Sequence, residues 1–216
     1  MTLSRWSLTG MPRRGRRLTQ LLLGLVAYAF SMAAIMRAGL GSMPWDVLHQ
    51  GLAVHTGLSI GALTMLVAAV VLLLWVPLRE RPGIGTVANV VVIGLTVDLA
   101  LAVLPEVDAL AARVALAAAG IVLNAAATAA YIGVGLGPGP RDGLMTGLAA
   151  RTGWSVRAVR TAIEVTVVLT GWLLGGTFGV MTVAYALGVG PLIQWFLPRV
   201  TVAPVSRPPS TARPSR

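Results

Sequence analysis

Apolar residues gather in six stretches, Leu18 to Met36, Ile60 to Val76, Thr86 to Leu104, Val114 to Val134, Val159 to Leu174 and Val180 to Leu197. Each approaches the roughly 20 residues that a helix needs to cross a hydrocarbon core. Six spans are therefore expected. Two further helical segments begin at Pro44 and Pro140, each behind a glycine-containing break. From Pro44 to about His55, some 12 residues rising about 1.5 Å apiece reach about 18 Å, against a core of about 30 Å. Such a segment dips into a bilayer without crossing it.

The two short segments are one motif written twice. Residues 39–59 read GLGSMPWDVLHQGLAVHTGLS and residues 135–155 read GLGPGPRDGLMTGLAARTGWS, 96 positions later and without a gap. The same offset pairs Gly24 with Gly120, Thr86 with Thr182 and Gly94 with Gly190, so the unit extends beyond the motif. Chance matching in a Gly/Ala-rich chain does not readily give Pro, Asp, Thr and Ser in fixed register. Each unit, residues 18–108 and 109–198, holds one span, the short segment and two more spans. Three is odd, so the second unit enters the membrane from the opposite face. The expected fold class is an all-α polytopic membrane protein with six transmembrane helices in two inverted three-helix repeats, each with a short Gly/Pro-started helix after its first span.

Composition agrees with a bilayer environment. Apolar residues are 56% of the 216 and charged residues 11%, against roughly 45–50% and 25% in soluble domains. A net charge of +10 raises the question of nucleic acid, but the arginines are placed by topology. They crowd residues 1–17, the Arg79/Arg81 loop, the second motif with Arg141, Arg151, Arg157 and Arg160, and the segment 199–216. All of these fall on one side of a six-span arrangement, which puts both termini in the cytoplasm and removes the need for a nucleic-acid partner. Residues 199–216, rich in Pro, Ser and Arg, are expected to be a disordered basic tail. The basic start resembles a secretory or twin-arginine signal, but its apolar stretch matches the fourth span at the repeat offset. There is no cysteine, so neither disulfides nor a thiolate metal site can form.

Helix punctuation explains much of the motif. Pro44 and Pro140 suit a first helical position, Gly57 and Gly153 suit a left-handed C-terminus, and Ser59 and Ser155 suit the cap of the next span. The phrase GLGSMPWDVLHQGL, its echo GLGPGPRDGLMTGL and the following TG-x-S resemble the YczE/YitT-like family of bacterial inner-membrane proteins, of the YczE type. The resemblance covers nearly the whole chain apart from the tails. It implies a multi-pass protein of the bacterial inner membrane and brings no settled substrate or reaction. The halves differ where Ser42-Met43 becomes Pro138-Gly139 and Trp45 becomes Arg141.

Intramembrane charges are the candidate chemistry. Asp46 and Asp142, in the first turns of the short helices, suit either capping of their own helix or a ligand, proton or ion role. Gly41 and Gly137 would expose backbone near a central cavity, and Pro44, Pro140, Thr56 and Thr152 are the other repeated residues around it. Arg160 and Glu164, four apart, suit an ion pair. Asp98 faces either a cavity or the wet interface. Asn89 and Asn124 read as interhelical glue. His49 and His55 form no metal set, and no nucleophile–base pair or phosphate loop is present, so neither an enzyme nor a cofactor is expected. Two functions fit: a small permease with a solute or ion between the repeats, or a non-transporting scaffold that docks a protein partner or a second copy through small residues such as Gly171, Gly175 and Gly176. The lipid bilayer is a partner in both.

Overall fold

The computed structural model describes residues 13–202. It has eight helices: α1 (Arg14–Ala38), α2 (Pro44–Thr56), α3 (Ile60–Leu78), α4 (Ile84–Val103), α5 (Leu110–Gly133), α6 (Pro140–Thr152), α7 (Val156–Leu173) and α8 (Val180–Val200). No strand occurs among the described residues. The expectations for residues 1–12 and 203–216 lie outside the described residues. The first four helices and the last four start at matching positions 96 residues apart, and α2 and α6 also end so.

Five helices, α1, α3, α4, α5 and α8, are long and apolar enough to cross a membrane. The sixth expected span, α7, is not among them. Its 18 residues carry Arg157, Arg160 and Glu164, and it turns two of these charges towards a cavity in the bundle. Leu23, Leu66, Leu73, Val76, Leu95 and Leu187 are largely exposed on the outside of the helices. A surface of that kind is suited to hydrocarbon, and these side chains are where the protein meets lipid.

The core is built on α1 and α5, which pack along one another; α4 lies against α1 and α8 against α5. Arg17, in the first turn of α1, donates to the carbonyls of Val134, just beyond α5, and of Val202, the latter at 3.2 Å. Its repeat counterpart Arg113, in the first turn of α5, donates to Ala38 and Gly39 at the end of α1, at 2.7 and 2.8 Å. Each guanidinium thus satisfies carbonyls that a helix C-terminus leaves unpaired, where the dipole favours a cation. The two helices consequently run antiparallel. These bonds also shift two boundaries. Arg14, Arg16 and Arg17 belong to α1 rather than to a separate N-terminal segment, and residues 199–202 belong to the body, because α8 continues to Val200 and the buried Val202 donates to Gly133 at 2.9 Å. Asn124 of α5 is interhelical, donating to Ser31 of α1 and accepting from the Tyr185 hydroxyl of α8, both at 2.8 Å.

The short helices pack crosswise, α2 on α7 and α6 on α3. At the second contact the Trp75 ring lies directly over Gly143, and its indole N–H donates to Pro140 at 3.0 Å. At the first contact the repeat equivalents are Gly171 and Val47, so the large residue has changed sides. A Cβ on Gly171 would stand against the Leu48 backbone, with Val47 C at 2.5 Å. Gly171 and Gly176 are therefore covered by α2 from within and are not open to a partner, while Gly175, with φ of 91°, forms the turn after α7.

Gly171→Ala should lower the detergent-extracted protein's thermal stability by an overpacking cost of about 1–3 kcal/mol. Gly188→Ala on α8, where a Cβ meets nothing within 4 Å, should leave the melting temperature unchanged or slightly raised.

Candidate functional site

Both short helices start and stop as their sequence dictates. Pro44 and Pro140 open them behind extended residues Met43 and Gly139, and Gly57 and Gly153 close them with φ of 70° and 74°. Ser59 and Ser155 then cap α3 and α7, accepting from Ala62 N at 3.1 Å and Ala158 N at 3.2 Å. Thr56 and Thr152 belong to this punctuation. Each hydroxyl donates to the carbonyl four residues back at 2.8 Å and accepts from the amide two residues ahead at 3.3 Å, at an exposed position away from the bundle centre.

The segments leading into the helices are buried and irregular, and each is held by the other half. Leu136 accepts from Gly85 N at 2.9 Å, and its counterpart Leu40 accepts from Met181 N at 3.1 Å. Gly41 and Gly137 sit at φ of 117° and 123°, a region that disfavours side chains. A Cβ on Gly41 would also meet Thr182 Oγ1 at 2.7 Å, and one on Gly137 would meet Thr86 Oγ1 at 2.9 Å. Their role is close backbone approach, and neither lines the cavity.

The N-terminal ends of α2 and α6 border a cavity of about 210 Å³. Met43, Pro44 and Trp45 approach it from one half, and Gly139, Pro140, Arg141 and Asp142 from the other. Arg160 and Glu164 of α7 complete the charged wall, and all three tyrosines of the chain, Tyr28, Tyr131 and Tyr185, line it with Asn89. Asp98 is not in this wall. Its Oδ1 accepts from Gly61 N at 2.8 Å and ties α4 to the first turn of α3.

The two motif aspartates do not cap their helices. Asp46 is fully buried, with Oδ1 3.2 Å from His49 Nδ1 and with Oδ2 lacking a hydrogen-bond partner among the described residues. Thr64 Oγ1 stands 3.3 Å from the same His49 nitrogen, and Arg141 reaches His49 Nε2 at 3.5 Å. The imidazole therefore separates Asp46 from Arg141. Asp142 Oδ2 accepts from the Tyr131 hydroxyl at 2.9 Å, and Tyr131 meets Tyr28 edge to face at 6.2 Å. Asp46 faces a side chain one turn along its own helix, His49, while Asp142 takes a donor from α5, Tyr131, and neither carboxylate accepts from the backbone of its own first turn. Arg160 and Glu164 form the expected pair at 2.8 Å.

Arg141 stacks over Trp45, its guanidinium carbon 4.7 Å from the ring centroid. These are equivalent positions of the two units, so their contact marks the place where the halves meet. The substitution of Trp45 by Arg141 was visible as a departure between the motifs; its meaning was not. Two further pairs of equivalent positions hold tyrosine in one half and asparagine in the other, Tyr28 with Asn124 and Tyr185 with Asn89, and all of these but Asn124 line the cavity. Comparing the intramembrane asparagines with their repeat partners would have found both tyrosines. Tyr131, opposite Ile35, leaves no such signal.

The family of unknown function DUF6198 matches residues 15–198. Among relatives, an uncharacterized protein of Haemophilus influenzae is 38% identical over 89% of this chain and 88% of its own length. The uncharacterized membrane protein YczE of Bacillus subtilis is 32% identical over 82% of this chain and 83% of its own length. The chain belongs to this YczE-like family. The uncharacterized protein YyaS of Bacillus subtilis is 23% identical over 82% of this chain and 90% of its own length. No solved structure matches. Membership, with the apolar helices, makes this YczE-like chain a multi-pass membrane protein.

In this cavity Arg160→Ala should destabilise the protein more than the double variant Arg160→Ala/Glu164→Ala, because the single change leaves Glu164 uncompensated. A thermal-unfolding double-mutant cycle should give a coupling of roughly 0.5–3 kcal/mol.

Proposed function

We propose that the protein is a small, non-catalytic permease of the bacterial inner membrane, holding a small polar solute in the cavity between two inverted repeats. The observation that carries this reading is the cavity itself, a chamber with two arginines and two acids in its wall inside a largely apolar bundle, bordered by the starts of both short helices. Interrupted helices that bring their N-termini to a central site are the recurring arrangement of inverted-repeat transporters. The antiparallel α1 and α5, tied by Arg17 and Arg113, support the inversion. On this reading α7 crosses as the sixth span, with its charges turned to the cavity, and both termini are cytoplasmic. A scaffold has less support, since Gly171 and Gly176 already pack on α2.

Inversion is tested by single cysteines at the exposed equivalents Leu58 and Trp154. A membrane-impermeant maleimide should label them from opposite sides of oriented vesicles; labelling from the same side refutes the inverted arrangement.

Transport is tested in proteoliposomes, with solutes chosen by a broad thermal-shift screen. Uptake should be lost in Asp46→Asn and in Asp142→Asn while the melting profile and detergent behaviour of each stay intact. Unimpaired uptake by the folded double variant removes the acids from the transport role, and the absence of flux for every solute that binds removes the permease reading.

A further inference from the structure

Arg141 and Asp142 are neighbours in sequence and opposite in charge, and both line the cavity, yet they do not pair. On a helix, adjacent side chains diverge by about 100° and do not face each other. In direct contact each therefore meets uncharged groups, with Arg160 acting on Asp142 only from a distance. Arg141 has the Trp45 ring face and a histidine nitrogen; Asp142 has the Tyr131 hydroxyl. The other charges at the site are already spoken for: Glu164 is paired with Arg160 at 2.8 Å, and Asp46 is set behind His49 at 3.2 Å. Among the described residues, the cavity wall thus presents one cation and one anion without a direct ionic partner, side by side at the start of α6.

We infer that the cavity is a zwitterion site, taking a small amino carboxylate or betaine whose carboxylate meets Arg141 and whose cationic nitrogen meets Asp142. This rests on the cavity being the solute site proposed above. A ligand that fills the chamber strips water from both charges, and stripping water from a charge is costly unless a countercharge replaces it. A monoanion compensates Arg141 and leaves Asp142 bare; a monocation does the reverse. Only a dipolar ligand compensates both. The aromatic surfaces fit the cationic end, because Tyr131 donates to Asp142 while Tyr28 meets it edge to face, and ring faces attract ammonium groups. Size agrees as well. At about 210 Å³ the chamber is smaller than the roughly 300–1,000 Å³ of sites for drug-sized ligands, and it suits a metabolite of amino-acid dimensions.

The test uses the full-length protein in nanodiscs and equilibrium binding of the standard α-amino acids and glycine betaine, each with a counterpart lacking one charge. For L-leucine these counterparts are isocaproate, without the amine, and isoamylamine, without the carboxylate. At least one zwitterion should bind about tenfold or more tightly than both of its counterparts. In Arg141→Gln that zwitterion should bind no better than its amine, and in Asp142→Asn no better than its carboxylate. The comparison of probes on the native protein needs no variant, so a variant that fails to fold leaves the test intact. Binding of a carboxylate or an amine as tightly as its parent zwitterion overturns the assignment while leaving a permease with a different solute. Absence of binding by every zwitterion in the panel overturns it too. The permease reading itself falls only on the flux measurement.

Discussion

The constraint on which this fold depends is the placing of irregular backbone inside an apolar bundle. The segments Leu40–Met43 and Leu136–Gly139 are not helical and are largely buried, where an unpaired peptide group has no water to turn to. Each is satisfied by the other half. Gly85 N serves Leu136, Met181 N serves Leu40, and the Thr86 hydroxyl serves Pro138 at 2.7 Å. The donors are amides at the starts of α4 and α8, which a helix leaves over in any case. One set of orphans thereby satisfies the other. A departure between the motifs follows the same accounting: Ser42 donates its N–H to Thr177 at 3.1 Å, whereas Pro138 has no N–H to place.

With the loops fixed in this way, the starts of the short helices are held at the bundle centre, and divergence between the halves converts that place into a site. Perfect symmetry would put identical residues at Trp45 and Arg141, either two rings or two repelling cations. The present pair instead stacks. Tyr28 with Asn124 and Asn89 with Tyr185 are further exchanges, and the two together produce the Tyr185–Asn124 bond between α8 and α5. The architecture comes from what the halves share, and the chemistry from where they differ.

Architecture was accordingly the legible part. Pro44, Gly57, Ser59 and their equivalents act through their own backbone, so local reasoning located both short helices. The asparagine Asn124 was legible as glue for the same reason that any buried amide is. Asp46 and Asp142 are readable from sequence either as caps or as ligands, because a first-turn carboxylate has a local use; the fold shows Asp46 turned to His49 one turn along α2 and Asp142 reached by Tyr131 of α5. Arg17 and Arg113 lay at the repeat offset all along. Their pairing with distant carbonyls depends on α1 and α5 lying alongside each other, which periodicity does not encode. The charges of α7 set it apart from the five helices long and apolar enough to cross a membrane, and two of them, Arg160 and Glu164, line the chamber.

The exchange of Trp75 over Gly143 for Gly171 against Val47 has an evolutionary consequence. A symmetric ancestor made of two identical half-length chains would need the same residue to fit its equivalent neighbour. Neither present half can do so. Two copies of the first would drive the indole of Trp75 into Val47, and two copies of the second would leave no side chain to fill the place over Gly143 that Trp75 now occupies. The two volumes now complement each other only in the mixed pairing. The two contacts are therefore different in kind, a ring over a glycine at one and backbone against backbone at the other, and a homodimer of either half would not reproduce both.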